Sequence, residues 1–303
     1  MSQFVVRTSN LSKKYGERYA VRNVDVEIRR GQIYGLIGQN GAGKTTFIRM
    51  LTGLISQTDG EIELFGKSGA DLEKARGSIG SIVETPSLFP NMTAEENLET
   101  QRRLAGFDKN NADEMLELCG IADTGSKKVK NFSLGMRQRL ALTLALLTEP
   151  EFVILDEPIN GLDPKGIVEN REMLKRLAAE KGITILISSH ILSELSLLAT
   201  NYGIIHNGRL IKQLPAKQLL SECRRYIKVI TGDAPKTAEI LKRQFAIKEV
   251  EILDDGEIRV YEQLDKTPRM VKELVDADVQ VKSIGVTGQD LESYFMNITG
   301  GAM

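Results

Sequence analysis

The sequence has few cysteines, no long apolar run and almost no net charge, and each absence excludes a class of protein. Its 303 residues contain two cysteines, too few for the disulfide framework of a small secreted domain. The most apolar run, residues 140–147, is far shorter than the roughly 20 residues of a membrane-spanning helix. Forty basic and 41 acidic residues give a net charge of −1. A general nucleic-acid-binding protein needs a basic surface instead.

The N-terminus also lacks the features of a secretory signal. Residues 1–16 contain no basic start followed by a long apolar run. We therefore expect Cys119 and Cys223 to be reduced thiols in the cytoplasm, and they form no Cys/His pattern typical of a metal site. If the protein works at a membrane, we expect another polypeptide to hold it there.

Composition divides the chain near Pro215. Residues 1–214 alternate apolar runs with helical stretches and carry nearly all the glycine-rich turns. Residues 215–303 are more charged and contain no glycine-rich loop of that kind. We expect a large domain over 1–214 and a small accessory domain over 215–303.

The large region is predicted to be an α/β domain. Residues 32–37, 152–155 and 183–188 are short apolar runs, as in strands of a parallel sheet buried on both faces. Helical patterns accompany these runs at residues 45–54, 134–147, 164–180 and 191–199. Ahead of this sheet, residues 4–10 and 20–30 are predicted to form an antiparallel pair. A domain of this kind binds ligands at its strand ends.

The C-terminal region is predicted to be a small α+β domain. Its order is strand, helix, hairpin, helix, strand and helix, at residues 226–231, 236–245, around 254–256, 268–276, 279–286 and 289–297. An Asp-Gly turn between two alternating runs is a strong hairpin signal.

A phosphate-binding loop follows the first apolar run. Residues 38–45 read GQNGAGKT and fit the pattern GxxxxGK[ST] between a strand and a helix. Backbone N–H groups of such a loop and the helix N-terminus can surround phosphate oxygens. Lys44 can reach the β- and γ-phosphates, and the Thr45 hydroxyl can bind Mg²⁺. The motif predicts a nucleotide site.

Two carboxylates end the apolar run at 152–155. Asp156 is predicted to hold the Mg²⁺ shell, directly or through water. Glu157 is predicted to lie near the γ-phosphate, as a base or a positioner for the attacking water. The predicted reaction is metal-assisted phosphoryl transfer to water, or to an acceptor that replaces it.

Further motifs surround these two in a fixed order. Residues 131–139 read NFSLGMRQR, residues 160–163 read NGLD, His190 follows another apolar run, and Tyr15 precedes the phosphate-loop strand. Together with the phosphate loop and the carboxylates, these motifs resemble the ATP-binding subunit of an ABC transporter over about residues 3–214.

The resemblance implies a role for each motif. Tyr15 would stack on adenine, and His190 would contact the γ-phosphate. Two subunits would sandwich ATP, with Ser133 and Gly135 facing the other subunit's phosphate loop, and Asp163 would be the D-loop aspartate. The nucleotide-binding set is predicted to be Tyr15, Gly38, Asn40, Gly41, Gly43, Lys44, Thr45 and Thr46.

Simpler interpretations stay open for three of these residues. Ser133 precedes an apolar helix and could be its N-cap. His190 could be a buried, hydrogen-bonded histidine. Tyr15 could be an ordinary core or surface aromatic.

Two positions depart from the family pattern. Residues 132–136 read FSLGM where LSGGQ is usual, so Leu134 replaces a glycine and Met136 a glutamine. Glu84 stands where most members have the Q-loop glutamine. We expect Glu84 to belong to the catalytic and Mg²⁺-binding set and to couple the site to a membrane partner. Glu84 with the SLGMRQR segment is similar to exporters that protect bacteria from bacitracin and lantibiotic peptides.

Two further segments have family parallels. Residues 87–93 are either a buried loop or, as the resemblance implies, the groove for a short helix of the membrane subunit, with Phe89 and Met92 as anchors. The C-terminal helix at 290–295 is similar to the ends of drug- and peptide-exporting members, where it is regulatory or extends the dimer.

The resemblance implies an ATPase that powers a bacterial exporter of antimicrobial peptides or drugs. It would be a homodimer on separate permease subunits at the cytoplasmic face of the membrane, with ATP and Mg²⁺ and no nucleic acid. An importer subunit and a soluble ABC-type ATPase remain alternatives, although a single phosphate loop and no heptad run disfavour the soluble class. In a P-loop kinase, the FSLGM segment and His190 have no evident use.

Overall fold

The computed structural model describes residues 3–84, 86–107, 112–289 and 291–300. The chain forms two compact units, Met1–Ala216 and Lys217–Met303. Within the described ranges, none of the helices combines the length and apolarity needed to cross a membrane.

An antiparallel sheet opens the first unit. Its strands are β1 (Phe4–Tyr15), β2 (Arg18–Val24), β3 (Glu27–Arg29) and β5 (Asp59–Leu64). β1 pairs with each of the others, so the predicted antiparallel pairing is confirmed. The second predicted strand is divided because the Thr8 hydroxyl donates to Val24 O and accepts from Val26 N, each at 2.9 Å. This side chain replaces ladder hydrogen bonds at the break.

The second sheet of this unit has the strand order β10–β9–β4–β8–β7–β6. Its strands are β4 (Ile33–Ile37), β6 (Ile79–Ile82), β7 (Phe152–Asp156), β8 (Thr184–Ser189), β9 (Asn201–His206) and β10 (Arg209–Pro215). All are parallel to their neighbours except β10, which is antiparallel to β9. Every residue of β4, β7 and β8 is buried, which confirms the predicted parallel sheet.

Helices surround the sheets of this unit. They are α1 (Lys44–Leu51), α2 (Leu72–Arg76), α3 (Ala94–Leu104), α4 (Ala112–Leu118), α5 (Leu134–Leu146), α6 (Pro164–Lys181) and α7 (Leu192–Ser196), with 3-10 turns at Gly69–Asp71, Ala122–Thr124 and Val129–Asn131. α1 ends earlier than predicted because Gly53, with φ of 79°, is left-handed. α7 is also shorter than predicted, and the Tyr202 hydroxyl donates to Leu195 O near its end.

The second unit is a four-stranded antiparallel sheet with helices. Its elements are α8 (Ala216–Glu222), β11 (Tyr226–Thr231), α9 (Ala234–Phe245), β12 (Val250–Ile252), β13 (Ile258–Val260), α10 (Thr267–Asp276), β14 (Val281–Thr287) and α11 (Leu291–Ile298), with a 3-10 turn at Leu264–Lys266. The strand order β12–β13–β11–β14 is that of a ferredoxin-like fold. The predicted element order is confirmed, although Asp290, placed in the last predicted helix, lies outside the described residues.

Each unit buries one cysteine. Cys119 follows α4 in the first unit and Cys223 follows α8 in the second. Burial raises the pKa of the Cys119 thiol to about 11.

Candidate nucleotide-binding site

The phosphate loop joins β4 to α1, and its backbone requires glycine. Gly43 has φ of 109°, and a Cβ there would lie 2.5 Å from the carbonyl oxygen of Ala20. Lys44 begins α1 and is only 5% exposed. Its Nζ donates to Gly38 O at 2.6 Å, so the ammonium group is held inside the loop.

The other predicted nucleotide-binding residues lie around this loop. Asn40 and Gly41 are exposed at its tip, whereas Thr45 and Thr46 are half-buried in the first turn of α1. Tyr15 ends β1 and is 51% exposed, as a ring that accepts a base must be. The Lys13 ammonium lies 5.2 Å from the centre of the Tyr15 ring.

Asp156 and Glu157 are fixed by a serine that sequence reasoning missed. Ser188 on β8 pairs with Asp156 in the parallel ladder. Its hydroxyl donates to Asp156 Oδ1 and accepts from Glu157 N at 2.9 Å. The backbone of Glu157 is left-handed, with φ of 51°, and turns its side chain away from the strand direction. The only sequence signal for Ser188 is a polar residue at the end of an apolar run.

Three of the predicted catalytic and binding residues meet at Glu157. Its Oε1 lies 3.1 Å from Lys44 Nζ, and its Oε2 lies 2.8 Å from His190 Nδ1. The Lys44 contact is an ion pair without hydrogen-bond geometry, so Oε1 has no hydrogen-bond partner among the residues described. This oxygen can accept a proton from water or a hydroxyl once the Lys44 ammonium group binds phosphate instead.

A cavity of about 630 Å³ lies beside these groups. Thr45, Glu84, Asp156 and Glu157 line one part of it. The hydroxyl of Thr45 and the carboxylate of Asp156 are hard oxygen donors, which Mg²⁺ prefers. Across the described ranges, no cluster of three acidic, histidine or cysteine side chains forms a complete metal site. The two oxygen donors of Thr45 and Asp156 fit a Mg²⁺ ion that also binds phosphate oxygens and water.

Glu84 has a partner that the sequence did not indicate. Its Oε1 lies 2.6 Å from the guanidinium Nη2 of Arg49 on α1. Both side chains are partly exposed. Arg49 offsets the negative charge that Glu84 adds near Asp156 and Glu157. The catalytic and Mg²⁺-binding roles of Glu84 stay predictions.

The signature serine and the D-loop aspartate both cap helices. Ser133 Oγ accepts from Met136 N at 3.2 Å at the start of α5, which confirms the N-cap interpretation. Asp163 Oδ1 accepts from Gly166 N at 3.1 Å at the start of α6. Ser133 is exposed, and Gly135 lies near it in the first turn of α5. Their contact with a second subunit stays a prediction.

The loop at residues 87–93, which precedes α3, is held by backbone hydrogen bonds of Phe89 and not by burial of the Phe89 ring. Asn97 accepts from Phe89 N at 2.8 Å and donates to Phe89 O at 3.1 Å. The Phe89 side chain is 43% exposed, so the buried-loop interpretation is wrong for this residue. Met92 is half-buried.

The sequence matches a known family and characterised relatives. Residues 21–160 match the family model described as ABC transporter. The chain is 44% identical to the bacitracin transport ATP-binding protein BcrA of Bacillus licheniformis, over 98% of each chain. It is also 44% identical to the lantibiotic transport ATP-binding protein SrtF of Streptococcus pyogenes, over 68% of this chain and 89% of the relative.

A solved structure extends the likeness to the fold in three dimensions. A dimeric ATP-binding cassette in a post-hydrolysis state, bound to ADP and Pi, has a TM-score of 0.63 at 26% identity. The match covers 70% of this chain and 98% of the cassette. The phosphate loop, the paired carboxylates and His190 all lie at the carboxyl edge of the parallel sheet. The chain therefore belongs to the ABC transporter ATP-binding family and is an ATPase.

Proposed function

We propose that this ATPase powers a bacterial exporter of antimicrobial peptides or drugs. The observation that carries the proposal is the 44% identity to a bacitracin transport ATP-binding protein over 98% of this chain, because that match includes the second unit. In this proposal, two copies form a homodimer on separate multi-span permease subunits. The protein then lies at the cytoplasmic face of the membrane and is held there by the permease.

Hydrolysis follows from the contacts of Glu157. Entry of ATP brings its phosphates to Lys44, whose Nζ is 3.1 Å from Glu157 Oε1 in this structure. Glu157 is then free to accept a proton from the attacking water, while His190 holds its other oxygen. Mg²⁺ bound through Thr45 and Asp156 would neutralise charge on the phosphates. Tyr15 would hold the adenine.

The second copy completes the site. Ser133 is exposed at the N-terminus of α5, where the helix dipole favours negative charge. With the backbone of Gly135, it would bind the γ-phosphate held by the other subunit. The D-loop, with Asp163, would lie at the same interface. The dimeric cassette with ADP and Pi supports this arrangement. ATP binding would close the dimer, and hydrolysis with phosphate release would reopen it.

Glu84 is proposed to couple the nucleotide site to the permease. It lies at the cavity edge, and Arg49 holds its carboxylate. Phe89 and Met92 would anchor a short permease helix nearby, with Phe89 already exposed. We expect Glu84→Gln to leave ATP affinity largely intact and to reduce permease-dependent transport. Loss of ATP binding in this variant, measured by calorimetry, would contradict a coupling role.

A pull-down tests the whole proposal. Glu157→Gln with Mg-ATP should recover a multi-span protein in comparable amount from native membranes in mild detergent. Lys44→Ala is the control, because it should not hold ATP and should not form the closed dimer. Recovery of ribosomes or DNA would instead favour a soluble ABC-type ATPase. Recovery of a multi-span protein together with a solute-binding protein would favour an importer.

A further inference from the structure

Two side chains of α5 contact the loop that follows Glu157. The Gln138 amide donates from Nε2 to Asn160 O at 3.4 Å. One turn earlier, Leu134 Cδ2 would lie 3.1 Å from a Cβ placed on Gly161, so the leucine rests directly on this glycine. Residues four apart lie on the same face of a helix, so both contacts come from one face of α5.

This loop is tied closely to Glu157. Asn160 N donates to Glu157 O at 3.1 Å, which closes a tight turn. Asn170 on α6 donates from Nδ2 to Pro158 O at 3.2 Å. Because the turn is short and pinned at several points, a shift at Asn160 or Gly161 reaches the backbone of Glu157.

The hydrogen bond to Asn160 O fixes the orientation of the Gln138 amide. Its Oε1 is buried without a hydrogen-bond partner among the described residues. A flipped amide would place this oxygen against Asn160 O, so the donating orientation is the one the site supports.

We propose that Gln138 and Leu134 are positioning residues for Glu157. They fix the loop from Pro158 to Gly161 and so keep the Glu157 carboxylate between Lys44 and His190. Both belong to the helix that Ser133 caps, so a displacement of this helix moves the loop and Glu157 with it. The inference rests on the role proposed above for Glu157.

The test uses the full chain and the isosteric change Gln138→Glu. This variant loses the donor and sets a carboxylate against Asn160 O. We expect kcat to fall about tenfold, while the Kd for ATP stays near that of the wild type. Gln101→Glu makes the same chemical change on the exposed surface of α3 and should leave kcat unchanged. Leu134→Ala should lower kcat as well, and Leu134→Met, which keeps the contact with Gly161, should restore it.

A double-mutant comparison separates positioning from a general structural role. If Gln138 acts through Glu157, Gln138→Glu should add no further loss to the residual turnover of Glu157→Gln, followed as phosphate release over hours. If Gln138→Glu lowers turnover by the same factor in the wild type and in Glu157→Gln, the inference is overturned. A rise in the Kd for ATP as large as the fall in kcat also overturns it. Wild-type turnover by Glu157→Gln contradicts the role proposed above for Glu157, on which this inference rests. If Glu157→Gln turns over slowly while Gln138→Glu keeps wild-type turnover, only this inference is contradicted.

Discussion

Lys44 carries a buried positive charge, and its neighbours in this structure are two carbonyl oxygens of the loop and Glu157. Removal of the ammonium leaves phosphate oxygens without their point-charge partner. We expect Lys44→Ala to weaken ATP binding roughly 10- to 100-fold. Titration calorimetry without hydrolysis measures this change. Lys67→Ala, on an exposed turn, is the control, and an equal loss there would show a non-specific effect.

Glu157 separates ATP binding from ATP hydrolysis. Glu157→Gln keeps the side-chain shape and removes both the base and the negative charge beside Lys44. We expect ATP to bind at least as tightly as in the wild type, turnover to fall about 100-fold or more, and a closed dimer to accumulate. Phosphate release and light scattering with Mg-ATP measure these effects. Unimpaired turnover would show that another group activates the water.

Some site residues could be predicted from sequence and others could not. Lys44, Thr45, Asp156 and Glu157 belong to motifs whose spacing along the chain defines the chemistry. Ser188 acts only because β7 and β8 are neighbours in one register, which places it opposite Asp156. Arg49 and Gln138 likewise act across tertiary contacts. A side chain whose partner is distant in sequence leaves no local pattern.

At the scale of elements, the first turn of α5 combines a structural and a functional role. Ser133 caps the helix through Met136 N, so Ser133→Ala should cost about 1 kcal/mol of stability. Ser133→Asp keeps an N-cap but brings a negative charge towards the other subunit's phosphate. We expect both variants to bind ATP normally as monomers and to lose dimer-dependent turnover.

Denaturant unfolding and turnover at several protein concentrations measure the two roles of Ser133. If Ser133→Asp regains both stability and turnover, capping alone explains the serine. If it regains stability only, the hydroxyl also acts at the dimer interface.

The elements differ in how well their sequences predict them. β4, β7 and β8 are buried on both faces, and their unbroken apolar runs follow from that. β6 reads IGSI, is only partly buried and was not predicted. Its Gly80 is required because a Cβ there would lie 2.0 Å from Ala145 O on α5. Such a close approach of helix and strand is a property of packing, not of local propensity.

At the scale of the whole molecule, the second unit has its own response to acid. Glu257 is 8% exposed and lies 2.5 Å from Lys228 Nζ and 2.8 Å from Arg259 Nε. Hydrogen bonds, first from Lys228 and then from Arg259, hold the pKa of Glu257 below its usual value of 4.5. A lowered folded-state pKa adds stability above the unfolded-state pKa, and this stability is lost as the pH falls through the folded-state value.

We therefore expect Glu257→Gln to be less stable than the wild type at pH 7 and to lose less stability between pH 5 and 3. Urea unfolding, with hydrogen exchange of β11 and β13 peptides as the local readout, measures this difference. Glu239→Gln, on the exposed side of α9, is the matched control. Parallel pH profiles for Glu257→Gln and the wild type would show that the two ion pairs contribute nothing to the acid response.

The two buried cysteines can report the opening of each unit separately. Cys119 lies in one unit and Cys223 in the other, so a thiol reagent reaches each sulfur mainly when the surrounding unit opens. The raised pKa of Cys119 further suppresses its thiolate, the reactive form, while the first unit stays folded. The modification rate of each cysteine, measured in the wild-type protein, would give the free energy of opening of the unit that contains it. ATP should slow modification of Cys119 alone if the nucleotide stabilises only the unit that binds it.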